Sequence, residues 1–192
     1  MRKLALLMTL VLAIFTANAY DPYENPAYAY VKTDGVNLRT KPNTTSRVYG
    51  KAGVGEIHLI TNFIGDWYEL DYDLGIESTT VYIKKDFVDV LHGTSAIDNP
   101  AAKSFLLDDG DLVGFLTFEK TSDENMLNYN YMLKSRSMQA AGGSGTVDVG
   151  NGIAMYFNGN LMQPESHADA PLVYDPTSGK LSFAGYLWTE DK

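Results

Sequence analysis

The sequence predicts an all-β protein with two small antiparallel domains. Short runs in which apolar and polar residues alternate recur from residue 30 to the C-terminus, and Gly, Pro, Asn and Asp separate them. Alternation with a period of two is typical of strands that bury one face. Hydrophobic residues make up 45% of the chain and aromatic residues 12%, which indicates packed cores rather than disorder.

Residues 1–19 have the order of a secretory signal peptide. Arg2 and Lys3 give a positive start, residues 4–15 form an apolar run, and Ala17 and Ala19 occupy the positions that a signal peptidase recognises. The run is too short to span a bilayer comfortably, and no later segment reaches the ~20 apolar residues that a membrane helix needs. We therefore expect an exported protein, periplasmic or secreted, without membrane insertion.

The composition excludes several classes of chemistry and partner. The chain has no cysteine, so disulfides, a lipidated cysteine, a thiolate nucleophile and thiolate metal ligands are all excluded. It has 15 basic and 24 acidic residues, with a net charge of −9. Such a surface repels nucleic-acid phosphates and anionic lipids, and it favours either a cationic partner or simple solubility.

Residues 30–91 are predicted to form the first domain. The preceding residues, 20–29, contain Pro22 and Pro26, which prevent a regular helix, and we interpret them as an extended lead-in. The runs that follow are short, which favours strands that curl into a small barrel and leave few free edges. These runs cover residues 36–39, 56–60, 67–72, 81–83 and 87–90.

Residues 104–192 are predicted to form a second antiparallel β-domain, either a sandwich or a barrel, after a linker over residues 92–103. A hairpin turn is expected at residues 150–152, because the sequence Gly-Asn-Gly adopts positive φ angles easily. A short helix is expected over residues 129–139. The strand candidates cover residues 112–119, 128–133, 146–149, 153–157, 172–174 and 180–188.

Two motifs of the first domain resemble landmarks of bacterial Src-homology-3 domains. Residues 36–42, VNLRTKP, are similar to the opening strand of that family, in which an apolar-Asn-apolar-Arg pattern runs into a loop with proline. Residues 65–70, GDWYEL, are similar to its glycine turn and Trp-Tyr strand, and residues 81–88 fit its closing strand and short helical turn. The resemblance covers residues 30–91. It implies a small β-barrel that acts outside the cytoplasm as a recognition module, often for peptidoglycan stem peptides.

A candidate ligand site follows from the strand predicted at residues 67–72. Trp67 and Glu69 should project to one face of this strand and Leu70 to the other, which we expect to be the core. We expect Trp67 and Tyr82 to line a groove with Asp66 and Glu69 at its rim. An aromatic ring beside carboxylates can hold an ammonium or guanidinium group by charge and by cation–π attraction. A solvated acidic strand without a ligand is the alternative.

No catalytic residue, metal site or cofactor is predicted. His58, His92 and His167 lack the spacing of paired zinc ligands. Residues 108–111, DDGD, lack the alternating ligands and the final Glu of a calcium-binding loop, so a polar turn is preferred. Residues 166–169, SHAD, contain the letters of a catalytic triad, but adjacent residues cannot supply its geometry and the chain has no G-x-S-x-G motif.

These patterns favour an exported, non-enzymatic binding protein of the cell envelope. The expected ligand is a peptidoglycan fragment or another peptide. A second hypothesis is an inhibitor or sensor that binds a cationic protein such as lysozyme, which would suit the acidic surface. A third is a wall hydrolase with an unrecognised site in residues 104–192.

Overall fold

The computed structural model describes residues 20–22, 25–73, 78–93, 100–123, 126–157, 161–164 and 172–192. The predicted signal peptide, residues 94–99 of the predicted linker and the SHAD segment lie outside these residues. The described chain is almost entirely β-structure in two antiparallel sheets, which confirms the predicted fold class. No helix among the described residues is long and apolar enough to cross a membrane.

The first seven strands form one sheet, which we call the N-terminal sheet. Its strands pair in the order β3-β2-β6-β5-β4-β1-β7, with a 3₁₀ helix at Lys85–Phe87 immediately before the last strand. The strands are β1 (Ala27–Val31), β2 (Val36–Arg39), β3 (Val48–Ala52), β4 (Ile57–Ile64), β5 (Trp67–Asp73), β6 (Ser78–Lys84) and β7 (Val88–His92).

The N-terminal sheet curls around a core of small and aliphatic side chains, to which all seven strands contribute. Strand β1 lies between β4 and β7 and buries Ala27, Ala29 and Val31 completely. It begins three residues before the predicted domain start, so residues 27–29 belong to the sheet and not to a lead-in. The small alanines of β1 let the sheet bend closely over its core.

The remaining eight strands form a second sheet, which we call the C-terminal barrel. Consecutive strands pair in chain order, and the last strand pairs with the first, so the ring is closed and has no edge. The strands are β8 (Ser104–Asp109), β9 (Leu112–Lys120), β10 (Met126–Ser135), β11 (Thr146–Phe157), β12 (Leu161–Pro164), β13 (Leu172–Asp175), β14 (Lys180–Phe183) and β15 (Tyr186–Glu190), with helix α1 (Arg136–Ala140) between β10 and β11.

Aromatic rings fill the interior of the C-terminal barrel. Trp188 is fully buried and its indole N–H donates to the carbonyl of Phe183 at 3.0 Å. An eight-stranded ring encloses a space that only large side chains fill, and the described interior is packed in this way. The buried aromatic side chains are Phe105, Phe118, Tyr129, Tyr174, Phe183 and Trp188.

Two local predictions for this barrel are wrong. Residues 150–152 do not form a turn, because β11 passes straight through them. Gly150 and Gly152 lie under Tyr131 and Tyr129 of β10, and a Cβ on either glycine would come within 2.6 Å of the tyrosine above it. The glycines therefore make room for rings. Residues 129–135 are strand rather than helix, and only residues 136–140 are helical.

The N-terminal sheet and the C-terminal barrel share a small apolar interface. Tyr30 and Leu91 from the sheet and Val173 from the barrel form a separate buried cluster. The hydroxyl group of Tyr30 donates to the carbonyl of Gly185 at 3.1 Å. Strand β13 is buried along its whole length, since one of its faces meets the barrel interior and the other meets the N-terminal sheet.

Polar groups complete this interface. The buried carboxylate of Asp175 accepts from the backbone N–H of His92 at 3.3 Å and from the N–H of Thr177 at 2.9 Å. Lys180 of the barrel contacts Asp89 of the sheet at 3.3 Å. The two sheets are therefore held together by apolar packing and by directional bonds across the contact.

Candidate functional site

The structure brings Glu69 and Tyr82 together on the outer face of the N-terminal sheet. Tyr82 lies between Val81 and Ile83, which are both fully buried, so alternation turns its ring outward. Tyr82 is directly opposite Glu69 in β5. On its other side, in β2, Tyr82 is directly opposite Arg39. Directly opposite residues share a face of the sheet, so Arg39, Tyr82 and Glu69 form one row across three strands.

Two hydroxyl groups hold the carboxylate of Glu69. Tyr82 donates to one oxygen at 2.9 Å, and Thr61 donates to the other at 3.1 Å. Burial raises the pKa of Tyr82, and the bond to Glu69 raises it further, so its hydroxyl stays protonated and donates at neutral pH. A carboxylate has about four lone-pair sites, which leaves Glu69 able to accept from a ligand as well.

Arg39 stands at the opposite end of this row, about 10 Å from Glu69 across two strand spacings. Its guanidinium donates to the carbonyl of Ser46 at 2.7 Å, which holds the side chain over the loop between β2 and β3. Arg39 was not among the predicted ligand-binding residues. Its position in the VNLR motif was visible, but its place beside Tyr82 depends on strand register, which one strand alone does not reveal.

The predicted exposure of Trp67 is wrong. Its side chain leaves β5 on the side opposite Leu70, as expected, but only 9% of it is exposed. An indole that is nine-tenths covered cannot offer its ring to a ligand as the wall of a groove. Burial of a large aromatic side chain stabilises the sheet instead. The predicted set of Asp66, Trp67, Glu69 and Tyr82 therefore contributes its polar members to the surface and its indole to packing.

Asp66 is exposed in the turn before β5. Its carbonyl accepts from the N–H of Lys85, which fixes the turn against the 3₁₀ helix.

Lys84 forms an ion pair with Asp86 that raises the pKa of the lysine and lowers the pKa of the carboxylate. The exposed Asp71 of β5 adds another carboxylate two residues beyond Glu69, on the same face.

In residues 108–111, whose composition resembles that of a calcium-binding loop, the carboxylates of Asp108 and Asp111 accept hydrogen bonds from neighbouring side chains. The guanidinium of Arg136 binds both oxygens of Asp108, at 2.8 and 2.9 Å. Ser135 and Ser137 donate to Asp111, at 2.6 and 3.0 Å. These bonds lower the pKa of both carboxyl groups, with the hydrogen bond to Arg136 or Ser135 as the largest cause. The segment clamps the β8–β9 hairpin to the start of α1.

The two described histidines, His58 and His92, both make contacts within the fold. His58 contacts Glu56 at 3.1 Å, and its ring lies 5.4 Å from that of Tyr72 in a tilted arrangement. Burial lowers the pKa of His58 despite the nearby carboxylate. His92 uses its backbone N–H in the interface with Asp175. Within the described ranges, no group of three or more His, Asp or Glu side chains is arranged to hold a metal ion.

Comparisons of the chain with protein-family models, with curated proteins and with solved structures find no match in any of the three.

Proposed function

We propose that the protein is an exported, non-catalytic binding protein of the cell envelope, periplasmic or secreted. We propose further that its N-terminal sheet is a bacterial Src-homology-3-type module. Its ligand in this proposal is a short zwitterionic peptide, such as a peptidoglycan stem peptide. The ligand lies along the row of Arg39, Tyr82 and Glu69. This row carries the proposal, because it places a cationic and an anionic group on one surface with a phenol between them.

The order of elements supports the Src-homology-3 part of the proposal. The VNLR segment forms strand β2, and the GDWYEL segment forms a turn and the start of β5. The 3₁₀ helix at Lys85–Phe87 lies where the resemblance implies a short helical turn. A rigid sheet that presents its recognition groups on strands positions them more accurately than mobile loops do.

The charges of the row support a zwitterionic ligand rather than a simple cation. Glu69 can accept from an ammonium group, and Arg39 can bind a carboxylate through its guanidinium fork. Stem peptides carry both kinds of group. The exposed Asp66 and Asp71 extend the acidic end of the row and favour a ligand whose amine lies at that end.

The proposal is tested by titrating the purified chain with a synthetic stem tetrapeptide in a calorimeter. Glu69→Gln and Arg39→Gln should each weaken binding by at least tenfold, which corresponds to about 1.4 kcal/mol. Asp109→Asn changes one charge in β8 of the C-terminal barrel, outside the row, and should bind like the parent. The proposal would be contradicted if the parent showed no saturable binding, or if both row variants bound the tetrapeptide as tightly as the parent.

A second arm separates the other two hypotheses. The chain is mixed with purified peptidoglycan, and both pelleting and released muropeptides are measured. We expect pelleting without release. Muropeptide release would indicate a hydrolase, whereas a salt-sensitive complex with lysozyme and no pelleting would indicate an inhibitor or sensor.

A further inference from the structure

The outer face of the C-terminal barrel carries a continuous apolar strip across four strands. Leu106 of β8 is directly opposite Phe115 of β9, Phe115 is opposite Met132 of β10, and Met132 is opposite Val149 of β11. All four side chains point away from the packed interior. Their exposed fractions are 43% for Leu106, 47% for Phe115, 42% for Met132 and 57% for Val149.

A row of hydrogen-bonding side chains runs beside this apolar strip. Thr117, Asn130 and Asn151 are opposite one another on β9, β10 and β11, two residues along each strand from the apolar row. Asn128 lies two residues further on β10, opposite Glu119. The three asparagines are exposed, and each amide offers donors and an acceptor. We call the apolar strip and this amide row together the β8–β11 face.

The β8–β11 face is nearly neutral, although the chain has a net charge of −9. The ionisable side chains that point outward from the described residues of these four strands are Asp108, Glu119 and Lys134. Asp108 is paired with Arg136. A surface of this kind selects its ligand by apolar contact and amide bonds and not by charge.

The dimensions of the strip argue against a protein partner. Four strands at their usual spacing give a length of about 14 Å. The amide row lies about 7 Å to one side, and the row on the other side places Val113 between Asp108 and Lys134. A stable protein interface covers about 800 Å² on each partner, several times the area of a strip about 14 Å long and two rows wide. Two shallow depressions border the strip: one of about 230 Å³ lined by Val113, Phe115 and Lys134, and one of about 310 Å³ by the asparagines.

We propose that the β8–β11 face binds an oligosaccharide whose sugars carry N-acetyl groups. The apolar face of a sugar ring packs on Phe115 and Met132. Its hydroxyl and acetamido groups exchange hydrogen bonds with Asn128, Asn130 and Asn151, which can both donate and accept. This inference rests on the proposed function only in taking the ligand from the cell wall, and it requires nothing of the Arg39–Tyr82–Glu69 row.

The test is a titration of the purified chain with a soluble oligomer of N-acetylglucosamine, followed by calorimetry. Phe115→Ser and Asn130→Ala should each weaken binding at least tenfold. Their matched controls are Phe87→Ser and Asn37→Ala, which alter an exposed phenylalanine and an exposed asparagine of the N-terminal sheet and should bind like the parent. Unfolding midpoints check that all four variants are folded.

Three results would overturn the inference: no saturable binding by the parent, binding by both Phe115→Ser and Asn130→Ala that is as tight as that of the parent, or a parent dimer that dissociates in Phe115→Ser without any sugar binding. The last outcome would assign the strip to a second copy of the chain. Peptidoglycan strands stripped of their peptides form a further arm. Binding to them as well as to the oligomer assigns a wall source, and binding to the oligomer alone assigns a chitin-like one.

The same samples separate this inference from the proposed function. Phe115→Ser should keep its affinity for the stem tetrapeptide, and Glu69→Gln should keep its affinity for the oligosaccharide. If the parent binds only one of the two ligands, only the proposal for the other ligand fails, because the two ligands are assigned to different sheets.

Discussion

The N-terminal sheet and the C-terminal barrel both enclose a hydrophobic core, but different kinds of side chain fill the two cores. The core of the sheet consists of Ala, Val, Leu and Ile, and tyrosines such as Tyr68 and Tyr72 lie at its border. The barrel places six aromatic rings inside and leaves Phe115, aliphatic side chains and asparagines on its β8–β11 face. The width of the enclosed space decides this: a narrow curled sheet is filled by small residues, whereas an eight-stranded ring needs large ones.

The same difference determines which surface each part offers to a ligand. The N-terminal sheet presents charged groups and a phenol, so its recognition should depend on ionic strength. The barrel presents a neutral apolar strip, so its recognition should depend on shape and amide bonding. The edges differ as well, since the barrel has none and the sheet covers its β7 edge with β13 of the barrel.

The largest loss of stability is expected from a substitution in the aromatic core of the barrel. Trp188→Ala removes a fully buried indole, its hydrogen bond to Phe183 and its contact with Gly114, where a Cβ would lie 2.7 Å from the ring. We expect a loss of about 3–5 kcal/mol in the free energy of unfolding, measured by urea titration. Leu70→Ala in the N-terminal sheet should cost about 2–5 kcal/mol and serves as the aliphatic counterpart.

Trp188→Phe sharpens this comparison, because it keeps an aromatic ring and removes the N–H donor. We expect it to recover more than half of the lost stability. If Trp188→Ala were as stable as the parent, the barrel interior could not depend on close aromatic packing.

A smaller effect is expected at the contact between the two parts. Gly55 has φ of +85°, and a Cβ there would collide with the carbonyl of Gly185 across the interface. Gly35 has φ of +71° with no atom within 4 Å of such a Cβ. Gly35→Ala therefore reports backbone strain alone, of order 1 kcal/mol. Gly55→Ala adds the collision and should cost about 1–3 kcal/mol more.

Urea unfolding followed by tryptophan fluorescence measures this difference. A second transition appearing only in Gly55→Ala would show that the sheet and the barrel unfold separately once their contact is disturbed. Equal losses in the two glycine variants would mean that the contact between Gly55 and Gly185 is absent in solution.

The smallest effect concerns the hydroxyl of Tyr30, which crosses the interface. Burial, followed by the negative charges of Asp109 and Asp89, raises the pKa of Tyr30 to about 12. The folded state thus holds this proton more tightly than the unfolded state, in which the pKa is near 10. Its contribution to stability is complete below about pH 10 and is lost as the pH rises towards 12.

Tyr30→Phe should lower the free energy of unfolding by about 1 kcal/mol at pH 7, because the bond to Gly185 is lost. It should also make the decline of stability between about pH 10 and 12 shallower. Tyr131, whose pKa is also raised to about 12, stays in place and keeps part of the decline. A parent and a variant with the same slope over this range would contradict the assignment.

Strand positions were predictable to a useful degree because alternation is a local signal. The segments around Leu38, Leu70 and Val81 were expected to be strands, and each has its apolar residue fully buried. The Gly-Asn-Gly segment at residues 150–152 was misassigned, since a glycine under a tyrosine ring looks the same in sequence as a glycine in a turn. The ring that explains it belongs to the neighbouring strand.

Half of the candidate site could be anticipated from the sequence. Glu69 and Tyr82 were expected to share a surface, and the hydrogen bond between them agrees with that placement. Arg39 was missed and Trp67 was placed in solvent. Both errors have one origin, because burial of an outward-facing side chain and the choice of a cross-strand neighbour depend on segments far away in the chain.

By itself, the sequence determined that this chain is built of antiparallel strands and which residues of the recognised strands alternate between the two faces. That information is carried by the backbone geometry of a single strand, in which successive side chains point to opposite sides. Only the tertiary structure decided which side chains stand next to one another. It set Arg39, Tyr82 and Glu69 in one row, aligned Leu106 with Phe115, Met132 and Val149, and covered Trp67. Register is the physical reason, since it is fixed by pairing between distant segments and not within any one of them.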